Sequence, residues 1–199
     1  VSSTASLFVT EETIEFVRQL QDQTVTELPG MATFECELSR PNAKVQWMRA
    51  DKPILSDRKF EVVVDGAIHR LVIRDVTGST DVSEYSANVR GLTSKASLAI
   101  QVSPCFTPDA SFQDSLTMKA GSSKTVTLGF SAFPVPNAAL TFNGGSVRDE
   151  KRVSIKMVDG KPSFIVQKVL KEDAGQYVLS LENEFGKATA TVTIFVLDK

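Results

Sequence analysis

Asp81-Val82-Ser83-Glu84-Tyr85 and Asp173-Ala174-Gly175-Gln176-Tyr177 stand 92 positions apart and share one spacing of acid and tyrosine. The sequence around them repeats as well. Val64-Asp65-Gly66 recurs as Val158-Asp159-Gly160 at an offset of 94. Leu71, Ile73 and Val76 recur as Phe164, Val166 and Val169 at 93, and Leu98, Ile100 and Val102 as Val192, Ile194 and Val196 at 94. Offsets that drift by one or two across loops indicate a duplicated fold with small insertions. The repeat is as long as a common domain. The 199 residues therefore divide into a linker or tail at 1–10, one domain at 11–102 and a second at 103–199.

Each copy is built of short alternating runs. Ala32, Phe34, Cys36 and Leu38 alternate with Thr33, Glu35, Glu37 and Ser39, which puts the apolar set on one face of a strand. Val126-Leu128-Phe130-Ala132, Leu140-Phe142, Phe164-Val166, Tyr177-Leu179-Leu181 and Val192-Ile194-Val196 do the same in copy two, with Asn143-Gly144-Gly145, Asp159-Gly160 and Phe185-Gly186 as turns. About seven short strands per copy, each with one buried face, predict an all-β fold of two tandem β-sandwiches. Residues 11–20 fit two readings. Thr10 suits a helix cap with Ile14, Val17 and Leu20 on one face, whereas Ile14 and Phe16 also fit a first strand, which the sandwich needs.

Composition excludes several classes of function. A net charge of -2 supplies no field for nucleic acid, and no apolar run is long enough for a membrane-spanning helix. No leader peptide is visible at Val1-Ser2-Ser3-Thr4, although an excised fragment would lack one anyway. One histidine, His69, and two cysteines, Cys36 and Cys105, supply neither a metal site nor a disulfide scaffold. No cofactor is expected. His69 is read as a solvated turn residue rather than a catalytic base, and Arg148-Asp149-Glu150-Lys151-Arg152 as a solvated loop of mixed charge. The expectation is a protein that is not an enzyme.

The motifs resemble the intracellular immunoglobulin I-set domain. Cys36, Trp47 and the Asp81 to Tyr85 run match that family's strand-B cysteine, strand-C tryptophan and Asp-x-Gly-x-Tyr pattern, with Ser83 in place of the glycine. Copy two keeps Asp173-Ala174-Gly175-Gln176-Tyr177, with Phe133-Pro134-Val135-Pro136 ahead of strand C. The resemblance implies that Tyr85 and Tyr177 tie the E–F loop to strand F through their hydroxyls, that Gly175 serves a positive-φ turn, and that Trp47 fills the first core with its indole N–H in need of a partner. It also places Ala87 and Leu179 at the strand-F cysteine position, Phe130 at the strand-B cysteine and Phe142 at the strand-C tryptophan of copy two. Neither copy then forms the inter-sheet disulfide. Cys36 becomes a small buried hydrophobe, and Phe130, Phe142 and Leu179 fill the space in copy two. None of the five asparagines carries a glycosylation signal. Both features favour a reducing, cytoplasmic setting.

Within that class, Val25-Thr26-Glu27, the Ala32 to Ser39 run and the ending Ile194-Phe195-Val196-Leu197-Asp198-Lys199 resemble giant sarcomeric proteins of the titin, twitchin and obscurin type. This implies a non-enzymatic structural module of the sarcomere: an extended, semi-rigid spacer that docks other sarcomeric or cytoskeletal proteins beside neighbouring immunoglobulin or fibronectin type III domains. The alternatives are a binding module of a smaller actin-associated cytoskeletal protein and a cell-surface adhesion ectodomain. Val178 and Phe195 should project from the outer face of one sheet and form a candidate partner contact. The plainer reading has Phe195 packing at the domain end or against a following domain. Pro104, Cys105, Phe106 and Pro108 form the interdomain junction, held extended by its prolines.

Overall fold

A computed structural model describes residues 12–109 and 112–198. The expected tail at 1–10 lies outside them. The described chain is all-β, and its contacts form two compact units: residues up to Thr24 with Pro29–Ala99, and Val25–Leu28 with Ile100–Lys199.

The first sandwich uses β1 (Phe16–Arg18), β2 (Gln23–Val25), β3 (Gly30–Leu38), β4 (Gln46–Arg49), β5 (Lys52–Pro53), β6 (Phe60–Asp65), β7 (Ile68–Val76), β8 (Ser83–Val89) and β9 (Leu92–Ile100). One sheet runs β1-β3-β7-β6 and the other β2-β9-β8-β4-β5. The ambiguous 11–20 segment contributes a strand, antiparallel to β3 with an irregular register. The alternating faces meet in a core of Phe34, Cys36, Leu38, Trp47, Leu71, Ile73, Tyr85, Ala87 and Leu98. Each large apolar side chain buried there contributes about 1.5–3 kcal/mol. Phe34 stacks on Tyr85 with ring centroids 5.1 Å apart.

The second sandwich uses β10 (Val102–Phe106), β11 (Ser115–Lys119), β12 (Lys124–Thr127), β13 (Phe130–Phe133), β14 (Asn137–Phe142), β15 (Val153–Val158), β16 (Lys161–Val166), a 3-10 turn at Lys171–Asp173, β17 (Gly175–Asn183) and β18 (Gly186–Leu197). Its main sheet runs β11-β18-β17-β14, facing β12-β16-β15 and the pair β10-β13. Of the predicted junction residues, Pro104, Cys105 and Phe106 are therefore strand, and Pro108 lies beyond it. β10 pairs with β13, Cys105 opposite Ser131 and Phe106 opposite Phe130. Strand B breaks at Gly129, where a Cβ would lie 2.4 Å from the Thr107 carbonyl oxygen. A side chain there would push β10 off.

Register corrects two expected positions in copy two. Phe34 lies opposite Leu71, and Cys36 opposite His69. In copy two Val126 lies opposite Phe164, and the Leu128 N–H donates to the Pro162 carbonyl. The counterpart of Cys36 is thus Leu128, fully buried, and not Phe130, which is half-buried on β13. Likewise Trp47 lies opposite Ala87 and Leu140 opposite Leu179. The tryptophan position is Leu140, and Phe142 corresponds to Arg49. Strand G also slips. Tyr85 pairs with Ala96 and Tyr177 with Val192, an offset of 96 rather than 94. Phe142 remains core, 4.8 Å from Tyr177, with Phe164 on the same ring at 5.6 Å.

Candidate functional site

The two tyrosine corners have the same geometry. The Tyr85 hydroxyl donates to the Asp81 carbonyl at 2.9 Å, and the Tyr177 hydroxyl to the Asp173 carbonyl at 2.8 Å. Both aspartates are buried and each is met by a cation. Lys59 Nζ lies 2.7 Å from Asp81 Oδ1. Arg152 donates to both oxygens of Asp173 at 3.0 and 3.1 Å, and to Asp149 and Glu172. Burial alone would raise the Asp173 carboxyl. The hydrogen bonds from Arg152 and from the Leu170 N–H outweigh it and hold the group below the ordinary carboxylate range. The 148–152 run is therefore not a free solvated loop: Arg152 clamps it to the E–F corner, and Arg148 sits over the Phe142 ring at 5.7 Å.

His69 is a second correction. It is 1% exposed on β7, with Nε2 lacking a partner among the described residues, and desolvation lowers its pKa. Its parity with Leu71 and Ile73 was the signal in the sequence for an inward side chain. The Trp47 indole N–H also finds no acceptor among the described residues. Cys36 is a buried free thiol pushed up to about 11, mainly by desolvation. Cys105 is exposed, Pro104 is buried on β10, and Phe106 packs against the second core. Pro108 is exposed.

Backbone pairing rather than a side-chain constellation dominates the sheet edges. β11 and β18 form a parallel ladder from Ser115 opposite Thr193 to Lys119 opposite Leu197. Its ends are the Thr193 N–H donating to the Asp114 carbonyl and the Ala120 N–H donating to the Leu197 carbonyl. In the first sandwich β2 is the neighbour of β9 at the edge of its sheet. Val178 and Phe195 lie on one outer face of the β17–β18 sheet, but they are not neighbours, since Thr191 and not Phe195 lies opposite Val178. Phe195 is 53% exposed, and Val178 is half-buried.

Two β-sandwiches, each with a tyrosine corner, define a class, and the chain belongs to it: residues 14–103 and 110–196 match the immunoglobulin I-set domain, so this is a tandem of the I-set family. The chain is similar to titin of Drosophila melanogaster, 29% identical over 100% of this chain and 1% of that protein. It is also similar to the cardiac-type myosin-binding protein C of Gallus gallus, 26% identical over 98% of this chain and 19% of that protein. It thus spans a small part of each relative. Among solved structures, the titin domains A168-A170 superpose with a TM-score of 0.76 at 24% identity, covering 93% of this chain and 66% of that one. The titin tandem A164-A165 gives 0.56 at 20% identity, covering 94% and 97%. No helix is long and apolar enough to cross a membrane among the described residues.

Proposed function

We propose that this chain is a non-enzymatic mechanical and scaffolding module of a sarcomeric filament protein, working in the cytoplasm of the muscle cell. The observation that carries this reading is the parallel β11–β18 ladder. β11 and the last strand, β18, lie side by side and point the same way, whereas β10 pairs with β13. Tension that has drawn β10 away therefore loads the hydrogen bonds between β11 and β18 together in shear. The function resides in main-chain pairing and needs no catalytic residue.

The reading includes the division into domains at 11–102 and 103–199, a semi-rigid spacer at the Pro104-Cys105-Phe106-Pro108 junction, and docking of other muscle proteins along the outer faces. The face carrying Phe195 and Leu197, both about half exposed, is the candidate contact. Single-molecule extension tests the mechanical part. The expected result is two discrete unfolding events, each requiring a distinct rupture force. Gradual extension without a force peak would reject it. Solution scattering that shows freely reorienting domains would reject the semi-rigid spacer. An unchanged affinity for every muscle-extract partner in Phe195→Ala would reject the contact.

A further inference from the structure

The two copies differ at one sheet edge. In the first sandwich β4 is covered. Met48 pairs with Pro53 and Arg49 with Lys52, and the Ile54 N–H donates to the Trp47 carbonyl at 2.9 Å. In the second, the chain turns back at once after β14. Phe142 and Gly145 exchange both hydrogen bonds, at 2.8 and 2.9 Å, and the chain then leaves the edge. Among the described residues β14 pairs only with β17. Because the Asn143 N–H donates to the Gln176 carbonyl, alternation aims the N–H and C=O of Ala138 and Leu140 away from β17. Leu140 is the counterpart of Trp47, whose carbonyl is occupied in copy one. No charge or proline guards the edge inside Asn137–Phe142, as edges are usually guarded. A groove of about 550 Å³ opens beside it, lined by Leu140, Val147, Val153 and Ile155, with Lys151 and Lys156 against Glu150 at its rim.

We infer that the β14 edge is a strand-addition site for an extended peptide of another protein, with alternating apolar side chains in the groove and acidic residues between them. Copy one shows the type of occupant, since its own Lys52–Ile54 segment lies extended along the equivalent edge. Main-chain pairing supplies affinity and the groove supplies selectivity. The rim has an excess of one positive charge, and its lysines carry no ion pair among the described residues. This favours an acidic partner and opposes a second copy, which would set the same lysines against each other. The inference does not depend on the mechanical reading.

The test uses the two-domain chain and two acetylated, amidated hexapeptides, one alternating Glu with Ile and one alternating Lys with Ile. The expected result is saturable shifts of the Ala138 and Leu140 amide NMR signals with the Glu peptide, and affinity at least about threefold weaker for the Lys peptide. Ala138→Pro removes an outward donor without touching the β14–β17 ladder. It should weaken binding about tenfold while the other amide signals keep their positions. Thr141→Val, on the same strand, checks that binding survives a change away from the outward positions. Unchanged affinity in Ala138→Pro would overturn the inference, as would shifts centred outside β14 and β15, no saturable shift at millimolar peptide, or β14 signals that broaden with protein concentration alone, which indicates self-pairing.

Discussion

Proline scanning of β11 separates its backbone roles. The two observed end bonds of the β11–β18 ladder, Thr193 N–H to Asp114 and Ala120 N–H to Leu197, together with the parallel register, assign the interior ones. Leu116 and Met118 turn both N–H and C=O toward β18, whereas Ser115, Thr117 and Lys119 turn theirs away. Thr117→Pro should leave the ladder whole. Met118→Pro deletes one ladder bond, and Met118→Ala controls for its buried side chain. One hydrogen bond is worth about 1 kcal/mol net, so Met118→Pro should unfold about fivefold faster under load than Met118→Ala. Backbone strain from the proline adds to that. Thr117→Pro should stay within about twofold of the parent.

Force-clamp extension of the two-domain chain between reference domains reads this directly. Only one of the two unfolding events should shift, and the first domain serves as the internal control. Equal weakening by both prolines would refute the parity assignment. No difference between Met118→Pro and Met118→Ala would refute the ladder as the mechanical barrier.

Three further outcomes follow from the cores. Gly175→Ala sets a Cβ 2.6 Å from the Phe142 ring at a φ of +153°. It should cost the second domain about 3 kcal/mol in urea denaturation, while Ser83→Ala at the equivalent site of copy one stays near neutral. Tyr177→Phe leaves the Asp173 carbonyl buried without its donor, at about 1–3 kcal/mol; a loss below measurement would show that water replaces the hydroxyl. Cys36 has a folded-state pKa of about 11 against 9.0 for the free thiol, so folding retains the proton. Its stabilisation is full below pH 9 and is lost as pH rises through about 11, up to about 2–3 kcal/mol. Urea curves at pH 8 and 10 should show this loss in the parent first domain and a flatter response in Cys36→Ala. With intact protein, a thiol reagent should modify Cys105 quickly and Cys36 only on unfolding.

Alternation made the inward faces legible in the sequence, but not the pairing along them. Phe130 for Leu128, Phe142 for Leu140, and a strand-G offset of 94 for 96 are all errors of two residues. A two-residue slip keeps every side chain on its own face, so a period of 2 cannot detect it. The Asp to Tyr spacing succeeded because the hydroxyl closes on a carbonyl four residues away, a local contact that no register shift alters. The same parity rule applied to His69 would have predicted an inward side chain, but its place beside the Asp65-Gly66 hairpin suggested solvent. The Arg152 clamp reaches Asp173 across 21 positions, which no local pattern encodes. The open edge was less legible still, because an edge is defined by the pairing it lacks. Its trace in the sequence is Gly144-Gly145, where copy one continues into Lys52–Leu55.

The β11-β18-β17-β14 order places the parallel ladder and the open strand at opposite edges of one sheet. The two roles then separate thermodynamically. A peptide on β14 binds only the folded domain, so at ten times its Kd it should raise unfolding free energy by about 1.4 kcal/mol. Rupture of β11 from β18 breaks no bond on β14, so rupture force should hold nearly constant at the same peptide concentration. Thermal denaturation and force-clamp measurements on one sample distinguish the cases. A higher midpoint with unchanged force supports independent edges. A force that rises in step with the midpoint would show that the sheet yields as one unit, with strand addition tuning the spring.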